Sequence, residues 1–310
     1  MIALATPASI CNNVCKVIRG KNDEVKLVVT AILSGGHVLL EDVPGTGKTT
    51  LAKALAISIG GDYKRVQCTP DLMPADITGS EYYRPNDGQF TFREGPIFTN
   101  ILLADEINRT SPRTQSALLE AMSESQVTID GESRSLPNPF FVIATQNSSD
   151  FHGTYPLPEA QLDRFAIQLS LGYPSISDER IMLREHSHSD PLSTITSVIS
   201  GAEVRSLQEC VRRVHVEDSV SDYILDIVGQ TRMDPRLRLP VSPRGALILY
   251  RMSQAFAFVN ERDYVSPDDV QHLAIPVLAH RIILEAKAKY AGGTPLQSIN
   301  DALEKSLVPR

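Results

Sequence analysis

Residues 41–56 read EDVPGTGKTTLAKALA and overlap a short apolar run, His37–Glu41, that is typical of a buried strand. A helical pattern begins at Lys48, directly after the glycine-rich turn. Glycines at such a junction let backbone N–H groups turn toward phosphate oxygens, and the helix N-terminus adds its positive dipole. The stretch therefore predicts a nucleotide site formed by Pro44, Gly45, Thr46, Gly47, Lys48, Thr49 and Thr50.

The polar side chains of this loop predict a bound ATP with Mg²⁺. Lys48 is expected to reach the β- and γ-phosphates, and the Thr49 hydroxyl is expected to ligate the metal ion. Asp42 stands where the full motif begins with glycine. Because that position is distant from the phosphates, we interpret the departure as mild.

A pair of acidic residues follows a second apolar run. Ile101–Ala104 leads directly into Asp105 and Glu106, which places two carboxylates at the carboxyl end of a predicted parallel strand. Asp105 is expected to join the Mg²⁺ shell, and Glu106 to orient and deprotonate a water for attack on the γ-phosphate. Two surface carboxylates are the alternative, which the preceding strand makes much weaker.

An amide and two arginines extend the candidate site. Asn147 follows the apolar run Phe140–Thr145 and could hydrogen-bond the γ-phosphate and the attacking water, although alone it more often forms a turn. Arg164 ends a predicted helix, and Arg244 begins another within Ser-Pro-Arg-Gly. Arginine at the edge of a site stabilises transition-state charge. Taken singly, each arginine is more typical of a salt bridge or a surface position.

The pattern of apolar runs predicts an α/β domain at residues 1–172 and a helical domain at residues 173–310. Two long intervals, Thr69–Asn100 and Ser125–Pro139, contain Asn-Asp-Gly and Asp-Gly turns and predict β-hairpin insertions. The predicted strands are His37–Glu41, Lys64–Cys68, Ile101–Ala104, Phe140–Thr145 and Ala166–Ser170. The predicted helices are Lys48–Ser58, Thr114–Glu124, Glu159–Phe165, Leu207–Val214, Ser219–Thr231, Pro243–Asn260 and Pro267–Ala288.

Composition narrows the class of protein. The chain has 310 residues, with 30 Lys and Arg against 37 Asp and Glu and a net charge of −7, which argues against a general polyanion binder. No run approaches a membrane span, and the N-terminus does not resemble a signal peptide. The four cysteines, Cys11, Cys15, Cys68 and Cys210, lack metal-ligand spacing. We expect a soluble cytoplasmic protein with reduced thiols.

Together these motifs resemble the MoxR family of AAA+ ATPases, from about Val17 to Ile283. The matching stretches are GGHVLLEDVPGTGKT (35–49), QCTPDLMPADITG (67–79), GPIFTNILLADEINRTSPRTQSALLEAM (95–122), ATQNSSDFHGTYPLPEAQLDRF (144–165), SPRGALILY (242–250) and PVLAHRI (276–282). The resemblance implies an AAA+ P-loop NTPase core, with a five-stranded parallel sheet and two β-hairpin insertions, followed by an all-helical lid domain.

The resemblance also implies roles for individual residues. Lys48 and Thr49 match the Walker A residues, Asp105 and Glu106 the Walker B pair, and Asn147 the sensor 1 position. Arg164 matches the arginine finger given to a neighbour, with Arg109 and Arg113 as competing candidates, and Arg244 matches sensor 2 of the lid. Ile18 and Gly20 fall where such proteins pack the adenine ring.

A biological role is implied by the resemblance alone. MoxR-like ATPases form rings, usually hexamers, and act as chaperone-like machines that remodel or activate client proteins. Metal or cofactor insertion is often involved, with a von Willebrand factor A domain protein as the partner. The identity of the client does not follow from the sequence.

Two other functions remain as alternatives. A DNA translocase needs basic hairpins, but residues 69–100 carry five acids against two arginines, a net of −3, and nucleic acid is therefore an unlikely partner. A nucleotide-dependent binding switch with little turnover is disfavoured by Glu106 and Asn147 but not excluded. The hairpin aromatics Tyr82, Tyr83, Phe90 and Phe92 fit either a client grip or cross-strand pairing.

Overall fold

The computed structural model describes residues 6–86, 88–129, 131–147, 154–186 and 190–309. Its strands are β1 (Val38–Glu41), β2 (Tyr63–Gln67), β3 (Gly79–Arg84), β4 (Gln89–Glu94), β5 (Ile101–Asp105), β6 (Gln126–Ile129), β7 (Glu132–Ser135), β8 (Phe141–Gln146), β9 (Ile167–Leu169), β10 (Leu237–Leu239) and β11 (Ile283–Leu284). Within these residues, five parallel strands form one sheet in the order β2-β5-β8-β1-β9. All five predicted strands are confirmed, and each end lies within one residue of its prediction.

Helices cover both faces of this sheet and form most of the second half of the chain. They are α1 (Pro7–Cys15), α2 (Asn22–Leu33), α3 (Lys48–Ser58), α4 (Pro74–Thr78), α5 (Pro112–Glu124), α6 (Glu159–Leu162), α7 (Ile176–His186), α8 (Gly201–Val211), α9 (Asp218–Met233), α10 (Pro243–Val259), α11 (Pro267–Leu278), α12 (Ala286–Tyr290) and α13 (Pro295–Lys305). In the described parts of the chain, no helix combines the length and the apolar character that crossing a bilayer requires.

The strands β1, β5 and β8 are buried on both faces, as their apolar sequences require. In strand β1, alternate side chains pack into two different hydrophobic cores. Val38 and Leu40 pack against α2, α3 and the second half of the chain, whereas Leu39 packs on the side of α5. Pairing of Glu41 with Gln146 and of Gln67 with Asp105 fixes the register at the carboxyl edge. The phosphate loop, the acidic pair and Asn147 therefore leave the sheet at the same edge.

Both predicted hairpin insertions are present. Strand β3 pairs with β4, and β6 pairs with β7, each in antiparallel register. Tyr83 lies opposite Phe90, with ring centroids 5.4 Å apart, so these two aromatics form a cross-strand pair. Both side chains remain about half exposed or more, at 54% and 68%. The turn residues Asp87 and Asp130 lie outside the described residues.

The second half of the chain is mostly helical, but one predicted helix is replaced by a shorter helix and a strand. The single helix predicted at Pro267–Ala288 is wrong, because α11 ends at Leu278 and the chain continues through a 3-10 turn into β11. Strands β10 and β11 form a small antiparallel ribbon in the predicted all-helical lid. Tertiary pairing with β10, together with the bonding of buried Arg281 to the core, outweighs the local helical pattern here.

Several helices were not predicted or begin earlier than predicted. Helix α2 is buried over most of its length and carries no clear capping signal, and α8 begins earlier than predicted. Helices α7 and α13 were not predicted, although Thr294 and Gln297 form a capping box at the start of α13. Helix α8, for example, starts after Ser200, whose side chain and that of Glu203 form a reciprocal capping box. The predicted helix at Leu207–Val214 is therefore the end of a longer element.

Candidate functional site

The phosphate loop has the backbone geometry that its sequence predicts. Gly45 and Gly47 have φ angles of 86° and 90°, in the left-handed region that favours glycine. Gly47 directly precedes α3, so backbone N–H groups of the loop and of the first helical turn are free to face an anion. The Lys48 ammonium lies over this loop and donates to the carbonyl oxygens of Asp42 at 3.1 Å and Val43 at 3.3 Å.

A cavity of about 590 Å³ extends from the phosphate loop. One end is lined by Gly45, Thr46, Gly47 and Thr50. The other is lined by residues that flank the loop on both sides, namely Val17, Ile18, Arg19, Lys21, Gly172, Tyr173, Pro174, Glu179, Met182 and Leu183. Because a glycine-rich loop before a helix is suited to bind an anion, the mainly apolar rest of the cavity is the part suited to a nucleobase and sugar.

The two predicted base contacts differ in their position. Ile18 is buried and lines the cavity. Gly20 lies between the cavity residues Arg19 and Lys21 and has a φ of 69°. A Cβ atom at Gly20 would lie 2.3 Å from Oδ2 of Asp178 in α7. Glycine at this position therefore permits the first turn of α7 to approach the chain closely, so the structure supports a packing role for Gly20.

Thr145 organises the acidic pair, and sequence reasoning missed this residue. Its hydroxyl donates to Oδ1 of Asp105 at 2.6 Å and accepts from the backbone N–H of Glu106 at 2.8 Å. Glu106 has a φ of 59°, unusual for a residue with a side chain, and the bond to Thr145 holds it in that conformation. Thr145 itself is 1% exposed.

Three side chains converge on the Glu106 carboxylate. Asn147 approaches Oε1 at 3.4 Å, while Gln67 and Arg109 each donate to Oε2 at 3.0 Å. The structure thus brings the two predicted site residues Asn147 and Glu106 together. Arg109, a candidate for action on a neighbour, is bonded to Glu106 of its own chain, and Arg113 is exposed on α5.

Arg65 from the edge strand β2 pairs with the other carboxylate. Its Nη2 atom lies 2.7 Å from Oδ2 of Asp105, and it also donates to the Gln67 side chain at 2.6 Å. Cys68, which follows the same strand, is buried beside the acidic pair. Burial first, and then the charges of Asp105 and Glu106, raise the pKa of this thiol to about 12, so it stays protonated and inert.

Arg164 and Arg244 lie together on the other side of the molecule. They line a second cavity, of about 270 Å³, with Gly36 and His37 at the start of β1. Arg164 donates to the carbonyl of Leu119 at 2.9 Å and to the Ser123 hydroxyl. Both arginines thus stand at the amino edge of the sheet, opposite the phosphate loop, and Arg251 and Leu247 of α10 join them there.

Comparison with known proteins agrees with this geometry. Residues 37–167 match the ATPase family associated with various cellular activities (AAA), and residues 229–302 match the AAA lid domain. The chain is 38% identical to Chaperone MoxR1 of Mycobacterium tuberculosis over 304 residues, which cover 95% of this chain and 80% of that protein. The chain belongs to the MoxR family of AAA+ ATPases.

Further similarities extend over most of this MoxR-family chain. It is 52% identical to the uncharacterized protein YeaC of Bacillus subtilis over 277 residues, which cover 89% of this chain and 87% of YeaC. A crystal structure from Cytophaga hutchinsonii matches with a TM-score of 0.91 and 37% identity, covering 98% of this chain and 94% of that one. Membership in this family implies that the chain binds a nucleotide.

In this MoxR-family chain, a buried ion pair ties the lid to the arginine cavity. Arg281, whose side chain is 1% exposed, donates to Oδ1 of Asp163 at 2.7 Å, and the Ser242 hydroxyl donates to Oδ2 at 3.1 Å. Asp163 directly precedes Arg164, and Ser242 caps the helix that carries Arg244. One carboxylate therefore fixes the segments that bear both arginines.

The functional residues missed by the sequence analysis share one property. Gln67, Thr145 and Asp163 are each close to a motif along the chain, but each also bonds a residue that lies 39 or more positions away. The change of pattern at Tyr173-Pro174 was visible as a domain boundary. The position of Tyr173 against the nucleotide cavity could not be predicted from the sequence, because it depends on how the chain returns to β1 after β9.

Proposed function

We propose that this protein is a ring-forming, Mg²⁺-dependent ATPase whose active site is completed by a second copy of the chain. The observation that carries the proposal is the separation of the two halves of the site. His37 and Glu41 mark the two edges of the sheet, and four residue steps of strand separate those edges by about 13 Å. Arg164 and Arg244 lie at one edge, and the phosphate loop and acidic pair lie at the other.

Such an arrangement favours a head-to-tail assembly. A contact between one edge of a subunit and the opposite edge of the next is heterologous, and its repetition forms a ring when the rotation between neighbouring subunits closes, which we propose here. We expect six subunits, as the family resemblance implies. Arg164, as the finger, and Arg244, as a second cation, would then face the γ-phosphate held by the neighbouring subunit.

We call the phosphate loop with Asp105, Glu106 and Asn147 the receiving half of the site, and Arg164 with Arg244 the donating half. The chemistry proposed for the receiving half follows from the atoms that its side chains present. The Thr49 hydroxyl and the Asp105 carboxylate are hard oxygen ligands that would hold Mg²⁺, and the bound ion would supply positive charge to stabilise the phosphates during hydrolysis. Lys48 would contact the β- and γ-phosphates. Glu106 would accept a proton from the attacking water, and Asn147 would orient that water.

The work of this ATPase is proposed to be chaperone-like remodelling of a protein client. The name of the 38% identical relative, Chaperone MoxR1, supports this role. The β3–β4 hairpin presents Tyr82, Tyr83 and Phe90 as exposed aromatics, which suit a protein surface better than a phosphate backbone. A von Willebrand factor A domain partner and a role in metal or cofactor insertion rest on the family resemblance.

The first experiment follows mass and turnover together. Light scattering of the wild type and of Glu106→Gln is measured with and without ATP and Mg²⁺, and phosphate release is followed in the same samples. The expected result is an ATP-dependent ring, about 204 kDa for six chains of 34.0 kDa, with turnover lost in Glu106→Gln. A nucleotide-bound monomer without turnover would overturn the proposal in favour of a binding switch.

A further inference from the structure

Asp42 is a buried carboxylate within the phosphate-loop motif, at the position where that motif usually has glycine. Its side chain is shielded from solvent, with the residue only 5% exposed. The carboxylate accepts three hydrogen bonds, from the backbone N–H of Leu171 at 2.6 Å, from the backbone N–H of Gly172 at 2.9 Å and from the Ser170 hydroxyl at 2.9 Å. All three donors belong to the segment that follows β9.

This segment, residues 170–174, forms part of the nucleotide cavity. Gly172 has a φ of 60°, which turns the chain away from the sheet, and Gly172, Tyr173 and Pro174 then line the cavity. The segment continues into α7, which supplies the cavity residues Met182 and Leu183. Its position therefore sets the shape of the wall that faces the nucleoside.

The backbone carbonyl and the side-chain carboxylate of Asp42 contact different parts of the site. The backbone carbonyl accepts from Lys48 at the phosphate end. The side chain reaches the opposite way, to donors of residues 170–172. An ionised carboxylate is an acceptor only, so it can satisfy all three donors, whereas glycine supplies no side-chain acceptor and an amide supplies one oxygen and two competing donors.

We propose that Asp42 is a positioning residue for the nucleoside end of the site, although it stands in a motif that binds phosphate. It holds residues 170–174 against the end of β1, and thereby fixes the wall of Tyr173 and Pro174 relative to the phosphate loop. The inference rests on the proposed binding of ATP. It assigns the departure from the glycine of the motif to recognition of the nucleoside.

The test distinguishes an effect on binding of the nucleoside from an effect on binding of the phosphates. Dissociation constants for ATP, ADP and inorganic tripolyphosphate are measured by calorimetry, or by displacement of a fluorescent nucleotide, for the wild type and Asp42→Asn. We expect Asp42→Asn to weaken ATP and ADP about tenfold and tripolyphosphate less than about twofold. A purely structural loss of folded protein would lower the active fraction without changing the ratio of the constants.

Two further variants keep the test decisive. Ser170→Ala removes one of the three hydrogen bonds and preserves both backbone bonds, so it should weaken ATP about two- to fivefold with tripolyphosphate unchanged. Asp269→Asn is the matched control, because Asp269 is a carboxylate of similar burial, 3% exposed, that caps α11 and bonds Arg262. It should leave the ratio unaltered.

The outcomes distinguish this inference from the proposed function. Equal weakening of ATP and tripolyphosphate in Asp42→Asn, or no weakening of either, would overturn the role of Asp42 and leave the ATPase proposal intact. A wild type that binds tripolyphosphate and ATP with the same affinity would also overturn it. A wild type that binds no nucleotide would overturn the ATPase proposal itself.

Discussion

Mixing two inactive variants should restore activity if the site is shared between subunits. Glu106→Gln damages the receiving half and retains Arg164, whereas Arg164→Ala damages the donating half and retains Glu106. Each variant alone should bind ATP and hydrolyse it slowly, because the loss of a general base costs about 10²-fold or more and the loss of an arginine finger about 10³-fold or more. The separation of about 13 Å between the sheet edges keeps each Arg164 from its own phosphate loop.

The size of the recovery follows from the assembly. In a ring formed at random from equal amounts of the two variants, a site is complete only when an Arg164→Ala subunit receives from a Glu106→Gln neighbour. Each condition holds with a probability of one half, so about one quarter of the sites should be active. The specific activity of the mixture should therefore approach about one quarter of the wild-type value.

The assay is steady-state phosphate release, with light scattering to show that mixed rings form. A matched control mixes Glu106→Gln with Asn147→Ala, whose lesions lie in the same half of the site, and that mixture should stay inactive. If the first mixture remains below a few per cent of wild type although the rings are mixed, Arg164 does not act between subunits. If Arg164→Ala alone hydrolyses ATP normally, Arg164 is not the finger.

Three other predictions concern binding and stability. Lys48→Ala should abolish ATP binding in a calorimetric titration, because the cation that contacts the β- and γ-phosphates is lost. Asp163→Asn should lower the free energy of unfolding in urea by about 3 kcal/mol, since it leaves buried Arg281 without its counter-charge. Burial lowers the pKa of His37 to about 4, so below pH 6.5 the unfolded chain binds more protons at this residue than the folded chain does. Buried His280, whose pKa is also lowered, acts in the same direction, so urea denaturation should show stability falling from pH 6 toward pH 4, with His37 contributing about 1.4 kcal/mol per pH unit.

Each of these three predictions has a matched control variant. Lys53→Ala, on the exposed face of the same helix, should bind ATP normally. Glu209→Gln removes an exposed partner of Arg212 and should change stability by less than about 1 kcal/mol, and a similar value for Asp163→Asn would contradict the buried-pair argument. His37→Gln preserves hydrogen-bonding groups without a titrating ring, so a slope between pH 6 and 4 as steep as that of the wild type would refute the assignment to His37.

The phosphate loop and the acidic pair could be predicted because their signals are local. The glycines, Lys48 and Thr49 lie within five residues of one another, and Asp105 and Glu106 follow an apolar run that must be a buried strand. Asn147 could be placed at the same edge of the sheet as this pair, since the carboxyl ends of parallel strands share an edge, but its contact with Glu106 is seen only in the structure. The helical half was predicted less well, because α7 has a weak local signal and the pairing of β10 with β11 joins distant segments.

What the sequence by itself determined is the chemistry of the receiving half: which residues could hold phosphate, ligate Mg²⁺ and activate water. Only the tertiary structure decided that Arg164 and Arg244 stand at the opposite edge of the sheet, tied together through Asp163. It also decided that Asp42 bonds a segment more than 120 residues away. The physical reason is the range of the interactions: a helix start or strand end depends on neighbours in sequence, whereas a buried carboxylate takes whichever donors the packing of the whole chain brings to it.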